Sequence, residues 1–535
     1  MTLTSFFREN VFRRPLISLI AGILLALTTS AHADTPSAQS ERGPMIGLRT
    51  DSGDEFLGIR YAQPPVGDLR WRPPQPLPRG HETIKAQAFG DHCPQAASPF
   101  GKPSVTEDCL FLNVFTPHRQ DGDRRHLPVM VWLHGGGFVA GESDDYDPAR
   151  LVAQGVVVVT LNFRQGALGF LAQPALDAEG HPAVNYGILD QQAALRWVRT
   201  NIAGFGGDPR NVTLFGQSSG GLSVLSNLVS PLATGLFDRA IAESGSYALI
   251  LPTLAQAEAL GTAFAAQAGC ADQTAACLRK LSVDQILANQ GPGTATTFVD
   301  GTILPRSIGA ALESGLFNRV PLVNGSNHDE GRLFVATGFD LVSGPLTAAQ
   351  YPTVIAATFG SLANNVLAEY PLSAFASPDL ALAAIETDAI FACNTERADR
   401  LASKFTKVFA YEFADENAPE ILLPPASFPY GATHASELPF LFDAFAQPGG
   451  NAAPSVLNGP EHELAQSMVR YWTDFSGGGD PTGPGLVPWL RFGPSATLQS
   501  LVPPQPQLSA ETSFAAAHKC AFWDPIIMKQ AVPLP

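Results

Sequence analysis

Six short runs of uninterrupted apolar residues are spaced along this chain, with helical patterns between them. The runs cover residues 128–133, 156–161, 212–215, 240–242, 320–323 and 408–413. A strand with one face in water alternates apolar and polar residues, so continuous runs indicate strands that are buried on both faces. Residues 189–202 and 219–229 have helical patterns. Alternating buried strands and helices predict an α/β fold with one large, mostly parallel sheet and helices on both faces.

Residues 331–407 are less regular than the segments around them and have a mostly helical pattern. No break in composition separates them from the rest. We therefore predict a single domain over residues 34–535, with 331–407 as a helical cap or insertion beside the site. In parallel sheets, ligands bind in loops beyond the carboxyl ends of the strands. Motifs that directly follow predicted strands are therefore the candidates for chemistry.

The first 33 residues have the three parts of a secretory signal peptide. Three arginines precede an apolar run over residues 16–27, and a small-x-small cleavage site ends at Ala33. An uncleaved membrane anchor is the alternative, but the run is shorter than the ~20 residues that span a bilayer. We expect cleavage after Ala33 and a periplasmic or secreted protein. The pair Arg13-Arg14 leaves the Sec and twin-arginine export routes open.

The charge balance of the chain is strongly acidic. Its 33 basic and 49 acidic side chains give a formal net charge of −16, and removal of the signal peptide makes this −18. Such a surface repels nucleic acids and anionic lipids. No later stretch is long and apolar enough to span a bilayer. We expect a small-molecule substrate, no nucleic-acid partner and no stable membrane association after cleavage.

Six cysteines remain after the predicted signal peptide, and export makes disulfides plausible. Six cysteines allow 15 connectivities. Pairing by sequence proximity would join Cys93 with Cys109 and Cys270 with Cys277, and leave Cys393 with Cys520. Free buried thiols are the alternative. The cysteines do not suggest a zinc site, because they form no CxxC pair.

Gly216-Gln217-Ser218-Ser219-Gly220 reads G-x-S-x-G and lies between a predicted strand and a predicted helix. That is the context of a nucleophile elbow, a tight turn that needs small neighbours. The N-terminus of the helix directs backbone N–H groups toward the negative charge that develops at the serine. Ser218 is therefore the candidate nucleophile, and an ordinary Gly/Ser-rich turn is the alternative.

A run of three glycines in His134-Gly135-Gly136-Gly137 follows another predicted strand. Glycines adopt backbone conformations closed to other residues and allow close approach to a substrate. Such an HGGG loop supplies oxyanion N–H groups in lipases and esterases, together with the residue after the nucleophile, which here is Ser219. A phosphate-binding loop is disfavoured, because no lysine follows the glycines.

A serine nucleophile needs a neighbouring base, and after an elbow of this type the chain order is serine, acid, histidine. The candidate bases are His434, His462 and His518. We favour His434, which lies in a loop of small residues after the strand at 408–413, whereas His462 is expected on the solvated face of a helix. Asp329 and Glu330 follow the strand at 320–323, and their chemistry alone leaves both open as the acid.

Together these motifs resemble the type-B carboxylesterase family, which includes the cholinesterases. The resemblance runs over about residues 44–525 and rests on specific strings in the family's order. These strings are Gly58-Ile-Arg-Tyr-Ala-Gln-Pro-Pro65, Leu69-Arg-Trp-Arg-Pro-Pro74, Glu107-Asp-Cys-Leu-Phe-Leu-Asn113, His134–Phe138, Asn162-Phe-Arg-Gln-Gly166, Phe205-Gly-Gly-Asp-Pro209, the elbow, Asp329-Glu-Gly331 and Cys520-Ala-Phe-Trp523. The resemblance implies the α/β-hydrolase fold and hydrolysis of carboxylic esters by a Ser-His-Glu triad.

The resemblance also implies roles for individual residues. In this family the glutamate of the Asp-Glu-Gly string is the acid, which favours Glu330 over Asp329. The second and third glycines of the loop supply oxyanion N–H groups, so Gly136 and Gly137 join Ser219. Cysteines at matching positions support the disulfides Cys93–Cys109, Cys270–Cys277 and Cys393–Cys520.

Four features depart from the family pattern. Family members usually have Glu before the nucleophile and Ala after it, where this chain has Gln217 and Ser219. The loop 93–109 has no tryptophan, whereas cholinesterases carry their choline-binding Trp there. These differences disfavour cationic substrates and cholinesterase activity. Small residues over 291–297 stand where cholinesterases have bulky acyl-pocket aromatics, which predicts a roomier acyl pocket.

The sequence therefore predicts a serine carboxylesterase that forms an acyl-enzyme on short- to medium-chain or aromatic esters. The mechanism requires no metal ion and no organic cofactor. A lipase, an amidase, or a polyester or toxin esterase with the same triad is the alternative within the fold. The alternative without enzymatic activity is a cholinesterase-like binding protein of the same fold. The presence of all three candidate triad residues, Ser218, Glu330 and His434, disfavours it.

Overall fold

The strands assemble into the predicted parallel sheet. The computed structural model describes residues 35–118, 126–181, 184–445, 453–454, 456–493 and 495–529. Within them the strands are β1 (Ser37–Ser40), β2 (Gly43–Ile46), β3 (Leu48–Arg49), β4 (Asp54–Arg60), β5 (Ile84–Lys85), β6 (Phe111–Thr116), β7 (Leu127–Leu133), β8 (Val157–Leu161), β9 (Gly207–Gln217), β10 (Arg239–Glu243), β11 (Leu322–Asn327), β12 (Val408–Phe413), β13 (Ala444–Phe445), β14 (Ala453–Pro454), β15 (Thr497–Leu501) and β16 (Gln507–Ala510).

Eleven of these described strands form one sheet in the order β16-β15-β12-β11-β10-β9-β7-β8-β6-β4-β3. The strands from β15 to β8 in this order are parallel to one another. Antiparallel strands extend the sheet at both edges. Because parallel strands end at the same edge, the loops after β7, β9, β11 and β12 meet there.

All six predicted strands are present, as β7 to β12, and β9 and β11 extend furthest beyond their apolar runs. Strand β9 begins at Gly207, which pairs with Leu127 of β7. Strand β11 continues through Asn327, which pairs with Phe413 of β12. The polar end of β11 is fully buried. Pairing with the neighbouring strands satisfies the backbone N–H and C=O groups of this segment. The segment is therefore a strand although its side chains are polar and do not predict one.

The described residues also form α-helices, some of which pack on the sheet. They are α1 (Ala149–Val152), α2 (Gly166–Phe170), α3 (Pro174–Asp177), α4 (Tyr186–Asn201), α5 (Ser219–Val229), α6 (Leu254–Gln267), α7 (Ala275–Lys280), α8 (Val283–Asn289), α9 (Ile308–Ser314), α10 (Gly331–Val335), α11 (Leu341–Ser343), α12 (Tyr351–Phe359), α13 (Ala363–Glu369), α14 (Pro378–Glu386), α15 (Cys393–Ala402), α16 (Leu438–Leu441), α17 (Gly459–Gly478), α18 (Glu511–Ala517) and α19 (Cys520–Ile527).

Alternate residues of the central strands pack against helices on opposite faces of the sheet. Val129 and Val131 of β7 belong to a core that includes side chains of α4 and α5. Met130 and Trp132 of the same strand belong to a second core, which includes side chains of α17. Side chains point alternately to the two faces of a strand, so both faces are buried. The prediction of helices on both faces is confirmed.

Residues 331–407 are mostly helical, as predicted. They contain α10 to α15 and two π-helical segments, Ala336–Asp340 and Thr387–Ala392. π-Helical segments are rare and often mark functional sites. Both segments contribute side chains to the cavity described below.

The structure contains three disulfides with the expected pairing. They join Cys93 to Cys109, Cys270 to Cys277 and Cys393 to Cys520. The last of these links α15 to α19 across a sequence separation of 127 residues. The predicted signal peptide, residues 1–33, lies outside the described residues. Within the described part of the chain, no helix has both the length and the apolar character needed to cross a bilayer.

Candidate active site

Ser218 lies at a sharp turn between β9 and α5. Its backbone has φ 57° and ψ −124°, a conformation that residues other than glycine adopt rarely and that persists only where the surroundings hold it. Its N–H donates to the carbonyl oxygen of Glu243 at 2.9 Å. Gly220 permits the tight turn, because a Cβ at that position would lie 1.9 Å from the carbonyl oxygen of Leu133. The chain therefore has the strand–turn–helix geometry that exposes a nucleophile.

The glycine loop after β7 lies directly beside this turn. A Cβ on Gly135 would be 3.1 Å from the Cβ of Ser218. Gly136 and Gly137 have φ of +106° and +64°, and a Cβ on Gly136 would lie 2.0 Å from the carbonyl oxygen of Ala140. Only glycine fits the loop at that position. Gly136 and Gly137 line the same cavity as Ser218.

Glu330 and His434 form a buried pair. Nδ1 of His434 is 2.5 Å from Oε2 of Glu330, and the backbone N–H of Asn327 donates to Oε1 of Glu330 at 2.8 Å. Glu330 has no exposed surface and His434 is 6% exposed. The rings of Phe334 and Phe391 flank the imidazole at 5.0 and 5.2 Å. Apolar rings on two sides limit the access of water to this pair.

Asp329, the other candidate acid, has different partners. Its Oδ2 accepts from the N–H of Ala432 at 3.1 Å, and its Oδ1 pairs with Arg332 at 2.7 Å. The fold therefore brings Glu330, and not Asp329, to the imidazole of His434. The sequence left this choice open until the family resemblance favoured Glu330.

Gln217 contacts the other nitrogen of His434. The side-chain nitrogen of Gln217 is 3.3 Å from Nε2 of His434. Because Glu330 accepts from Nδ1, a neutral ring carries its proton on Nδ1 and offers the lone pair of Nε2, so the Gln217 amide is the donor. From the sequence we noted only that Gln217 replaces a negatively charged glutamate, and no local pattern predicted this contact.

Two more buried carboxyl groups, those of Glu437 and Glu243, belong to residues that contact the surroundings of the site. Burial and then the charge of Glu330 raise the pKa of Glu437 to about 7, although an amide hydrogen bond from Asn327 favours its charged form. Burial, with the charge of Glu437, holds the pKa of Glu243 well above its usual range. Trp472 donates its indole N–H to Glu243 at 2.8 Å. Sequence reasoning missed both groups, because neither belongs to a motif used there.

Ser218 and His434 line one cavity of about 500 Å³. Most of its lining is apolar, and the largest apolar side chains include Phe100, Ile250, Phe334, Ile390, Phe391 and Leu438. Ala295 and Thr296, from the segment predicted to form a roomy acyl pocket, also line it. Among the described residues of the lining, none is a lysine or an arginine.

Two ionisable groups near this cavity have pKa values that are shifted toward the uncharged form. Burial, reinforced by the charges of Glu142 and Asp144, raises the pKa of Asp145 in the cavity wall to about 8. Burial lowers the pKa of His134, at the start of the glycine loop, to about 4. The cavity therefore suits a substrate without charge.

The other two candidate bases lie elsewhere. His462 is exposed on α17, which confirms its predicted position on the solvated face. His518 is 3% exposed and contacts Asp388 and Glu412 rather than Ser218. Neither lines the cavity at Ser218.

Comparison with known proteins identifies the family. The Carboxylesterase family model matches residues 34–523. The chain belongs to the carboxylesterase family. Relatives of this carboxylesterase include fumonisin B1 esterase from Sphingopyxis macrogoltabida, 34% identical over 87% of this chain and 87% of that protein. Para-nitrobenzyl esterase from Bacillus subtilis is 33% identical over 83% of this chain and 90% of the relative.

A solved PNB esterase structure covers 90% of this carboxylesterase and 100% of its own chain, with a TM-score of 0.75 and 30% identity. The α/β-hydrolase fold and the predicted serine carboxylester hydrolase are confirmed at the level of the family. The resemblance drawn from the sequence motifs is confirmed as well. The three disulfides are compatible with an extracellular or periplasmic protein.

Proposed function

We propose that this carboxylic ester hydrolase acts through a triad of Ser218, His434 and Glu330. The observation that carries the proposal is the 2.5 Å contact between His434 Nδ1 and the buried carboxylate of Glu330, in a cavity that Ser218 also lines. A carboxylate on Nδ1 orients the imidazole and leaves Nε2 as the base. Ser218 and Glu330 lie just beyond the carboxyl ends of β9 and β11, and His434 lies in the segment after β12, which supports their grouping at one edge of the sheet.

In the first half of the reaction, Ser218 Oγ attacks the ester carbonyl carbon while its proton passes to Nε2 of His434. Glu330 stabilises the resulting imidazolium without taking its proton. The tetrahedral intermediate collapses when the bond to the alcohol oxygen breaks. His434 then returns the proton to the leaving alcohol, and the acyl group remains on Ser218.

In the second half, water takes the place of the alcohol. His434 Nε2 accepts a proton from the water as its oxygen attacks the acyl carbonyl. The second tetrahedral intermediate breaks at the bond to Ser218 Oγ, which recovers its proton from His434. The acid leaves and the enzyme returns to its starting state.

The N–H groups of Gly136, Gly137 and Ser219 hold the oxyanion in both halves of the cycle. The positive φ of the two glycines and the position of Ser219 at the start of α5 support this assignment. Preorganised donors stabilise developing charge without reorganisation, and losing one costs roughly 3 kcal/mol of barrier lowering.

The preferred substrates are neutral esters with short- to medium-chain or aromatic acyl groups. A cavity of about 500 Å³ with apolar walls favours such groups through burial of their surface. The lack of lysine and arginine among the described lining residues gives an anionic acyl group no partner. The relatives are named for para-nitrobenzyl esters, fumonisin B1 and cocaine, so their names do not converge on one ester for this chain.

The test is a panel of para-nitrophenyl esters, from acetate to octanoate and benzoate, with the parent enzyme and Ser218→Ala. We expect the variant to lose kcat by at least about 10⁴-fold on every ester that the parent hydrolyses. Ser226→Ala is the matched control, since Ser226 is a buried serine of α5 that does not line the cavity. Unchanged hydrolysis by Ser218→Ala would refute the triad.

We also propose that residues 1–33 are a signal peptide and that residues 34–535 form one domain with 331–407 as its cap. The three disulfides and the contribution of Phe334 and Ile390 to the cavity wall support these assignments. Intact-mass analysis of the exported protein should give a chain that begins at Asp34. A mature protein that retains residues 1–33 would contradict the first assignment.

A further inference from the structure

Two histidines and a glutamate converge outside the cavity at Ser218. His328 follows β11, Glu412 lies in β12, and His518 lies between α18 and α19. Glu412 Oε1 is 2.7 Å from Nδ1 of His328 and 2.9 Å from Nε2 of His518. One ligand atom from each residue lies within 4.8 Å of the other two. The ester-hydrolysis mechanism does not use this cluster.

Asp388 supports the cluster from the far side of His518. Its Oδ1 lies 2.7 Å from Nδ1 of His518, and its Oδ2 accepts from the hydroxyl of Tyr370 at 2.7 Å. Asp388, His518 and Tyr370 are all buried. A carboxylate on the far nitrogen is what metal-binding histidines usually have, because it fixes the tautomer and raises the basicity of the ligating nitrogen.

A second cavity, of about 300 Å³, opens beside the cluster. His328 and His518 line it together with Asp388 and Thr387. The side chain of His328 is 39% exposed, whereas that of His518 is 4% exposed. An ion therefore has a path from solvent and room for a water molecule as a further ligand.

We propose that His328, Glu412 and His518 bind a divalent cation of the zinc type. Two imidazoles, one carboxylate and a water molecule are a ligand set that Zn²⁺ accepts. Ca²⁺ and Mg²⁺ prefer oxygen ligands alone, so the two imidazoles select against them. Tetrahedral ligands at about 2.0–2.1 Å from zinc lie ~3.4 Å apart. Binding therefore moves the Glu412 oxygen away from each nitrogen by roughly 0.5–0.7 Å.

A second convergent group, formed by His92, Glu142 and Asp144, provides an internal comparison. There the ammonium of Lys102 lies 3.4 Å from Glu142 and 3.6 Å from Asp144. Lys102 keeps its charge beside those carboxylates and would repel a metal ion. We propose no metal ion at that group.

At the proposed site the histidines can instead release their protons and become ligands. Burial lowers the pKa of His518, but hydrogen bonds to Asp388 and Glu412 raise it to about 10, so a metal ion must displace a proton there.

A bound ion would connect three parts of the fold. His328 precedes the loop that carries Glu330, Glu412 lies in the sheet, and His518 lies two residues before the disulfide at Cys520. A ligand that binds only the folded chain stabilises it by mass action. The ion is thus a structural brace, and its binding is measurable without any ester substrate.

The test uses the full exported chain without a histidine tag, treated with a chelator and then titrated with Co²⁺ or Zn²⁺. We expect one Co²⁺ per chain with the visible absorption of a tetrahedral site, and a Tm that rises with Zn²⁺ and not with Ca²⁺ or Mg²⁺. His328→Gln should weaken binding by at least about ten-fold. This variant alters a partly exposed side chain, so its fold can be checked by near-ultraviolet circular dichroism and ester hydrolysis.

His92→Gln is the matched control and should bind Co²⁺ as the parent does. Glu412→Gln should weaken Co²⁺ binding as His328→Gln does. If Glu412→Gln does not fold, the metal titration of His328→Gln tests the proposal by itself. The proposal is overturned if the parent binds neither Co²⁺ nor Zn²⁺ at millimolar concentration. It is equally overturned if His328→Gln binds as tightly as the parent, or if Ca²⁺ binds as well as Zn²⁺.

Discussion

Gln217 donates its side-chain amide to Nε2 of His434 across 3.3 Å. The residue before the nucleophile thus contacts the nitrogen that, in the proposed mechanism, accepts the proton of Ser218. Related enzymes usually have a glutamate at this position, where it would place a negative charge beside the imidazole and the cavity. The amide retains a polar contact to the ring and leaves the cavity without that charge.

Gln217→Glu should increase the preference for cationic esters. A carboxylate lining the cavity attracts a quaternary ammonium group and not its neutral isostere. We expect the ratio of kcat/KM for acetylcholine to that for 3,3-dimethylbutyl acetate to rise roughly ten-fold, or about 1.4 kcal/mol. The neutral ester controls for any general loss of activity. An unchanged ratio would show that residue 217 does not set charge preference.

Glu330→Gln and Asp329→Asn form a matched pair of neighbouring carboxylates. Glu330 holds Nδ1 of His434, whereas Asp329 pairs with Arg332. The amide at 330 should reduce kcat by about 10⁴-fold, because it no longer favours the required tautomer and imidazolium. The amide at 329 should change kcat less than ten-fold. Steady-state kinetics on one para-nitrophenyl ester tests both, and a larger loss at 329 would reverse the assignment of the acid.

Glu437→Gln should be more favourable to stability at alkaline pH than at acidic pH. The pKa of Glu437 is raised from 4.5 to about 7 in the folded chain, so the folded state binds more protons than the unfolded state between these values. Its contribution to the free energy of unfolding therefore falls as pH rises from about 4.5 to 7. The free energy of unfolding of the variant minus that of the parent should therefore be about 2 kcal/mol larger at pH 8 than at pH 5.

Urea unfolding of the parent and Glu437→Gln at both pH values measures this difference. Glu463→Gln is the control, because Glu463 is an exposed glutamate on α17. Equal stability differences at pH 5 and pH 8 would mean that Glu437 titrates as it does in the unfolded chain.

Thr296→Phe should narrow the range of acyl groups. Thr296 lines the cavity, in the segment where the sequence predicts small acyl-pocket residues. A phenyl ring there occupies space that a longer acyl chain needs, while an acetyl group still fits. We expect kcat/KM for para-nitrophenyl hexanoate to fall at least about ten-fold relative to the acetate. If both esters respond equally, Thr296 does not contact the acyl chain.

Much of the fold is readable from contiguous residues. Continuous apolar runs predicted β7 to β12, because strands buried on both faces need apolar side chains at every position. The motif around Ser218 predicted a strand–turn–helix, and the structure has β9 and α5 on its two sides. The polar end of β11 escaped prediction, since its pairing with β12 depends on residues far along the chain.

The sequence by itself determined the parallel α/β architecture, the elbow at Ser218 and the glycine loop, because each is encoded by periodicity or by a short local motif. Local chemistry left open which of two adjacent carboxylates faces His434, and the family resemblance favoured Glu330. The tertiary structure shows the contact itself, between residues 104 positions apart. It alone revealed the contact of Gln217 with that ring and the cluster around Glu412. Asp329 and Glu330 have the same chemistry, and their roles differ because the path of the backbone gives them different neighbours.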